Sequence, residues 1–123
     1  MATILIIDDS PTDVRVFTTL LERAGYTVIA VSTAEDGIER VRAELPDLVI
    51  MDVIMPGMNG FQATRILTRD PATAGVPIVM ITTKSMETDR VWGLRQGARA
   101  FITKPVNEKE LLASISGLLP GAA

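Results

Sequence analysis

The sequence contains no cysteine and no histidine, and only 4% of its residues are aromatic. Without cysteine there is no disulfide framework, no thiol nucleophile and no zinc-thiolate site, which fits a reducing compartment. Without histidine there is no Ser-His-Asp hydrolase, no imidazole general base and no histidine-ligated metal. Carboxylates, lysines and hydroxyls are therefore the groups left for chemistry.

Positive charge and long apolar runs are also scarce. A net charge of -3 and a pI near 4.9 leave no basic patch for phosphates, which argues against direct binding of nucleic acid. No apolar run approaches the roughly 18 residues that span a bilayer, and residues 1–3 form no basic leader. We therefore expect a cytoplasmic protein without membrane insertion, and 123 residues are enough for one domain.

What the sequence does contain is a series of short apolar runs, each followed by polar residues. Runs without polar alternation are typical of strands buried on both faces of a parallel sheet. We predict strands at residues 3–7, 26–31, 48–51, 78–81 and 100–103. Most of these strands end in residues that can do chemistry, namely Asp8 and Asp9, Asp52, Thr82 with Thr83 and Lys84, and Lys104.

Helix signals separate these strands. Ser10 followed by Pro11 predicts the start of a helix that ends at Gly25. Asn107, with Glu110 three residues later, predicts the start of the last helix.

Three further helices are predicted between the remaining strands. Ser32 and Glu35 have the spacing of a capping box, and the helix that follows places an apolar face at Ile38, Val41 and Leu45. Another helix follows Gly60, and the next runs from about residue 86 to residue 96. Strands alternating with helices at short connections predict an α/β fold, a doubly wound five-stranded parallel sheet flanked by five helices.

The strand ends are expected to form one site. Right-handed crossovers bring the carboxyl ends of parallel strands to one edge, so Asp8, Asp9, Asp52, Thr82 and Lys104 should converge. Taken singly, the acids are equally explained as turn and capping residues, the threonine as a strand residue and the lysine as a solvated charge. Together, three carboxylates need a cation that prefers oxygen ligands, and Mg²⁺ suits them best. A lysine and a hydroxyl add partners for phosphate oxygens, which predicts a phosphoryl-transfer site with a carboxylate nucleophile.

Four segments lie at the ends of predicted strands, namely residues 7–10 (IDDS), 51–60 (MDVIMPGMNG), 81–84 (ITTK) and 103–105 (TKP). Together they resemble the signature of bacterial response-regulator receiver domains, which share the CheY-like, flavodoxin-like fold. The resemblance covers essentially the whole chain, so we predict a receiver domain at residues 1–119 and a C-terminal tail at 120–123. Residues 92–99 (WGLRQGAR) further resemble stand-alone regulators of twitching motility.

The resemblance implies a metal site and a nucleophile. Asp52 would be the phosphoacceptor, attacking a phosphohistidine on a partner. Asp9, Asp52 and the backbone carbonyl of Ile54 would bind Mg²⁺ directly, and Asp8 would hold the metal through water. The isoleucine side chain cannot orient an attacking water, so we expect slow self-dephosphorylation.

The resemblance also implies a switch. Lys104 would pair with the phosphoryl group, and its bond to Pro105 would be a cis peptide. Thr82 would move its hydroxyl onto a phosphate oxygen, and the rotamer of Phe101 would report this change to the surface. Trp92 is equally explained as a partner-facing anchor and as a core residue.

The partners follow from the same resemblance. Because the chain has no histidine, the phosphoryl donor must be a separate histidine kinase or histidine phosphotransfer domain of a two-component phosphorelay. A separate downstream effector would dock on the last two helices and the last strand. The domain would not be an enzyme beyond catalysing its own phosphorylation and dephosphorylation.

Three other classes of protein are alternatives to a receiver domain. A phosphatase of the haloacid-dehalogenase type would need a D-x-D pattern after the first strand, whereas Asp8 and Asp9 are adjacent. An FMN-binding module would need a phosphate loop where these acids would repel phosphate. A receiver fold used only as an unphosphorylated binding module is disfavoured by the intact acidic set.

Overall fold

The fold is a single parallel sheet covered by helices on both faces, as described for residues 2–119 of a computed structural model. The five strands lie in the order β2-β1-β3-β4-β5. The elements are β1 Thr3–Ile7, α1 Pro11–Arg23, β2 Thr27–Val31, α2 Ala34–Glu44, β3 Leu48–Met51, α3 Gly60–Arg69, β4 Ile78–Thr82, α4 Glu87–Arg95, β5 Ala100–Thr103 and α5 Glu108–Leu118. The predicted doubly wound α/β fold is confirmed.

The central strands are buried on both faces, which explains their unbroken apolar sequence. On one face Ile4 and Ile6 of β1 pack in a core with α1 and α5, which contribute residues such as Phe17 and Leu111. On the other face Leu5 and Ile7 pack in a second core with residues of α2 and α3. Because the strand period is two residues, an unbroken apolar run is what two buried faces require.

The strand register places the polar residues at one edge. The backbone N–H of Asp52 donates to the carbonyl of Ile7 at 2.9 Å, which continues the ladder one residue beyond β3. The N–H of Asp8 donates to Val31 at 3.1 Å and the N–H of Lys104 donates to Thr82 at 2.8 Å. These bonds fix the backbone of three of the predicted site residues before any side chain is considered.

Two predicted helix starts are confirmed. The Ser10 hydroxyl accepts from the N–H of Asp13, Pro11 is the first residue of α1, and Gly25 follows the helix with φ 98°. The Asn107 side chain accepts from the N–H of Glu110 at the start of α5.

Other boundaries differ from the prediction. The cap of α2 is Thr33, whose hydroxyl accepts from the N–H of Asp36, so the predicted cap at Ser32 was wrong by one residue. Leu45, predicted on the apolar face of α2, is 55% exposed because it ends the helix with φ 46°, which turns it away from the helical face. β2 begins at Thr27 and α4 ends at Arg95, each within one residue of the predicted bound.

Two further expectations concern the C-terminal tail and membrane insertion. The predicted tail at 120–123 lies outside the described residues. Between residues 2 and 119, the helices are too short or too polar to cross a bilayer.

Candidate functional site

Three carboxylates meet at the carboxyl edge of the sheet. Asp8 and Asp9 follow β1 and Asp52 follows β3, and one oxygen of each lies within 4.8 Å of the others. Asp8 and Asp52 are only 2% and 5% exposed, whereas Asp9 is exposed. Carboxylate oxygens at this spacing are suited to a hard divalent cation.

Lys104 brings a positive charge into this cluster. Its Nζ donates to Asp8 Oδ2 at 3.0 Å and lies 3.8 Å from Asp52 Oδ2, too far for a hydrogen bond. Burial lowers the pKa of Lys104, but hydrogen bonds to Asp13 and Asp8 and the charge of Asp52 outweigh it, so the pKa lies above its usual value. Lys104 is therefore a permanent cation beside the predicted nucleophile.

Asp13 is a member of the cluster that the sequence reasoning missed. It lies in the first turn of α1, and its Oδ2 accepts from Lys104 Nζ at 2.7 Å, the shortest contact of that ammonium. An acid in the first turn is sufficiently explained by the helix dipole, so the sequence alone did not connect it to a lysine 91 residues away. The signal that could have found it is its position in the first turn of the helix that follows β1, the strand that leads to Asp8 and Asp9.

The carboxylate of Asp52 accepts a hydrogen bond from the adjacent backbone, and its surroundings raise its pKa. The N–H of Val53 donates to Asp52 Oδ1 at 2.8 Å. Burial and then the charge of Asp8 raise the pKa of Asp52 from 3.8 to about 6, although Lys104 and the N–H groups of Val53 and Ile54 act in the opposite direction. Near neutral pH the carboxylate is ionised, as a nucleophile must be.

Gly60 allows α3 to start close to this strand end. A Cβ on Gly60 would stand 2.1 Å from the backbone oxygen of Asp52, and the N–H of Gly60 donates to Val53 at 2.9 Å. Asn59 caps the helix in a reciprocal capping box with Gln62. The glycine thus serves a close approach of backbone to backbone.

Solvent reaches the acids from one side. A cavity of about 300 Å³ opens beside Asp8 and Asp9 and is also lined by Pro11, Val14 and Asp36. The side chain of Ile54, two residues after Asp52, is 54% exposed. The cavity therefore opens onto Asp8 and Asp9, whereas Asp52 does not line it and is 5% exposed.

Comparison with known families settles the class of protein. The profile of the response regulator receiver domain matches residues 4–116. The chain belongs to the response-regulator receiver family.

Relatives and solved structures agree with this assignment. The receiver domain is 52% identical to Protein PilH of Pseudomonas aeruginosa over 121 residues, which are 98% of this chain and 100% of PilH. It is similar to a putative response regulator of Chloroflexus aurantiacus, with a TM-score of 0.91, 29% identity and 95% and 96% of the two chains covered. For the Vibrio cholerae chemotaxis protein CheY4 the TM-score is 0.89, with 28% identity and 97% and 99% covered. These similarities confirm the predicted CheY-like fold and identify the chain as a signalling domain of the phosphorelay class.

The two residues predicted to form the switch of the receiver lie on adjacent strands. Thr82 at the end of β4 is fully buried, and its Oγ1 accepts from the N–H of Lys84 at 3.3 Å. Phe101 on β5 is partly buried against the core shared with α2 and α3. A cis peptide bond joins Lys104 to Pro105, as the resemblance implied.

Helix α4 of the receiver presents apolar side chains to solvent. Gly93 is its buried residue, while Trp92 is 49% exposed and Val91 and Leu94 are also exposed. The partner-facing interpretation of Trp92 is thus favoured over the core interpretation.

Proposed function

We propose that this receiver domain takes a phosphoryl group from a phosphohistidine onto Asp52, in the cytoplasm, and thereby changes a surface that a separate effector binds. The observation that carries the proposal is the setting of Asp52. It is a 5% exposed carboxylate with Lys104 Nζ at 3.8 Å and two further carboxylates within 4.8 Å. A strand-end turn residue needs none of these neighbours.

The transfer itself follows from these groups. An oxygen of Asp52 attacks the phosphorus of a phosphohistidine on a histidine kinase or phosphotransfer domain. The P–O bond forms as the P–N bond breaks, and the electron pair leaves with the imidazole nitrogen. Lys104 pairs with the negative charge of the phosphoryl oxygens, which is where charge stabilisation is needed. The same site catalyses the later loss of phosphate to water, and no other reaction is proposed.

The acidic cluster fits Mg²⁺. Its donors are hard oxygens from Asp8, Asp9 and Asp52, and the chain has no histidine or cysteine to favour a softer metal. We assign Asp9, Asp52 and the carbonyl of Ile54 as direct ligands, with Asp8 acting through water. When bound, the ion neutralises charge on the transferring phosphoryl group.

The switch residues connect the site to a surface. Thr82 directly ends β4, and its hydroxyl accepts from a backbone N–H while keeping its own proton, which it can donate to a phosphoryl oxygen. Phe101 lies on the neighbouring strand, paired with Met80. We infer that their movement alters the face formed by α4, β5 and α5, where Trp92 offers an aromatic anchor to an effector.

The similarity to PilH supports a more specific role. Together with the resemblance of residues 92–99 to twitching-motility regulators, it favours control of twitching or another form of motility. We also expect slow self-dephosphorylation, because the apolar side chain of Ile54, two residues after the phosphoacceptor, cannot orient an attacking water.

The proposal is tested by phosphate incorporation from acetyl phosphate, with and without Mg²⁺. We expect labelling of the parent that depends on Mg²⁺, is stable to acid and labile to base, and disappears in Asp52→Asn. Glu39→Gln, which removes an exposed carboxylate from α2, is the matched control and should be labelled like the parent. A folded parent that takes up no label from acetyl phosphate or from phosphohistidine donors would contradict the proposal and favour an unphosphorylated binding module.

A further inference from the structure

The ammonium of Lys104 forms ion pairs with two carboxylates, one on α1 and one that follows β1. Its Nζ donates to Asp13 Oδ2 at 2.7 Å on α1 and to Asp8 Oδ2 at 3.0 Å after β1. The lysine side chain is 10% exposed, so water competes little for its protons. The ammonium has three N–H donors, and two of them are used by these carboxylates.

The predicted phosphoacceptor receives the weakest of the three contacts. The side chain of Asp52 is only 7% exposed, yet its Oδ2 lies 3.8 Å from Nζ, outside hydrogen-bond distance. A lysine has a flexible four-carbon side chain, so a change of rotamer can bring its Nζ closer to Asp52. The position of Nζ reflects its hydrogen bonds to Asp13 and Asp8, and the one to Asp13 is the shorter of the two.

We propose that Asp13 is a positioning residue that restrains Lys104 in the unphosphorylated protein, holding its ammonium off Asp52 until a phosphoryl group takes it. This inference rests on the function proposed for Asp52 and names a residue outside the four motif segments. In the resting domain, Asp13 keeps the lysine from competing with a cation for Asp52. In the phosphorylated domain, the same attraction opposes the pairing of Lys104 with the phosphoryl group.

Two binding constants should consequently move in opposite directions in Asp13→Asn, which keeps the shape and removes the charge. Lys104 will close onto Asp52 and compete with Mg²⁺, so Mg²⁺ affinity should fall roughly 10-fold or more, the size expected for losing one charge-assisted hydrogen bond. With Mg²⁺ saturating, affinity for the phosphoryl analogue beryllofluoride should rise by a similar factor. A variant that only damaged the fold would weaken both.

Both constants are measured by NMR titration of the full chain, first with Mg²⁺ alone and then with beryllofluoride at saturating Mg²⁺. Asp13→Glu keeps the charge and should restore parental values. Glu22→Gln removes an exposed carboxylate from the other end of α1 and should change neither constant. Because neither titration requires turnover, both can be read even if no phosphodonor is found.

The decisive comparison is made in a Lys104→Gln background. If Asp13 acts by restraining the lysine, Asp13→Asn should have no further effect there. Equal effects in both backgrounds would mean that Asp13 acts through space and would overturn the proposal, as would parental values of both constants in Asp13→Asn. A parent that binds Mg²⁺ but is never phosphorylated would instead count against the function proposed for Asp52 and leave the lysine restraint measurable.

Discussion

Ionisation of Asp52 should lower the free energy of unfolding of the metal-free domain. Its carboxyl is 5% exposed and has a pKa of about 6, compared with 3.8 for an unperturbed aspartate. Between these two pH values the folded protein holds a proton that the unfolded chain releases. The free energy of unfolding therefore falls as pH rises through this window, by up to about 1.4 kcal/mol per pH unit.

The window sets the size of the effect. From 3.8 to about 6 it spans about 2.2 pH units, which corresponds to at most about 3 kcal/mol lost by the time Asp52 is fully ionised. Asparagine stays neutral, and its Oδ1 can still accept from the N–H of Val53. We expect Asp52→Asn to stabilise the protein by about 1 to 3 kcal/mol near pH 7.5, with no difference near pH 3.5.

Urea unfolding in EDTA at both pH values measures this difference. Glu39→Gln removes one exposed carboxylate and serves as the control for net charge, with an expected change within about 0.5 kcal/mol. Added Mg²⁺ should stabilise the parent more than Asp52→Asn and so narrow the gap. Equal stability of parent and variant near pH 7.5, or a gain that persists near pH 3.5, would refute the reasoning.

Three further substitutions test the packing by urea unfolding. Thr64 is fully buried, and its hydroxyl finds no partner within residues 2–119, so Thr64→Val should stabilise the domain by about 1 kcal/mol; a loss would show that the hydroxyl is satisfied. Thr73 is its matched contrast, because its hydroxyl donates to the carbonyl of Leu67 at 2.7 Å, and Thr73→Val should cost about 1 to 2 kcal/mol; an unchanged midpoint would contradict that bond. Gly60→Ala should cost about 3 kcal/mol or more, since its methyl would stand 2.1 Å from the backbone oxygen of Asp52; a cost below about 1 kcal/mol would show that α3 shifts easily.

The architecture was predictable because the sequence signals agreed with each other. Leu48 to Met51 form an unbroken apolar run, which only a strand buried on both faces explains well. Once the strands were parallel, topology brought Asp8, Asp52 and Lys104 to one edge. The contacts of Lys104 with both acids confirm that convergence, while the roles of the residues remain predictions.

The failures came where a residue type had two adequate explanations. Ser32 and Thr33 are both good helix caps, and the choice depends on where the chain leaves β2, which a pattern cannot locate to one residue. Leu45 kept the helical apolar spacing, but the helix ended there in a left-handed conformation before Pro46. Asp13 was explained locally by the helix dipole, and its contact with Lys104, the residue after β5, is visible only in three dimensions.

The placement of Trp92 gives the molecule an intrinsic fluorescent probe of helix α4. It is the one tryptophan in the sequence, and it stands half-exposed on α4 beside Gly93, where the helix rests closely on Met80 and Phe101. Indole fluorescence from this protein therefore originates in a single helix. The emission maximum depends on whether the indole is exposed to water. An effector that covers α4 will therefore shift the maximum to shorter wavelength, and no extrinsic fluorophore is needed to detect binding.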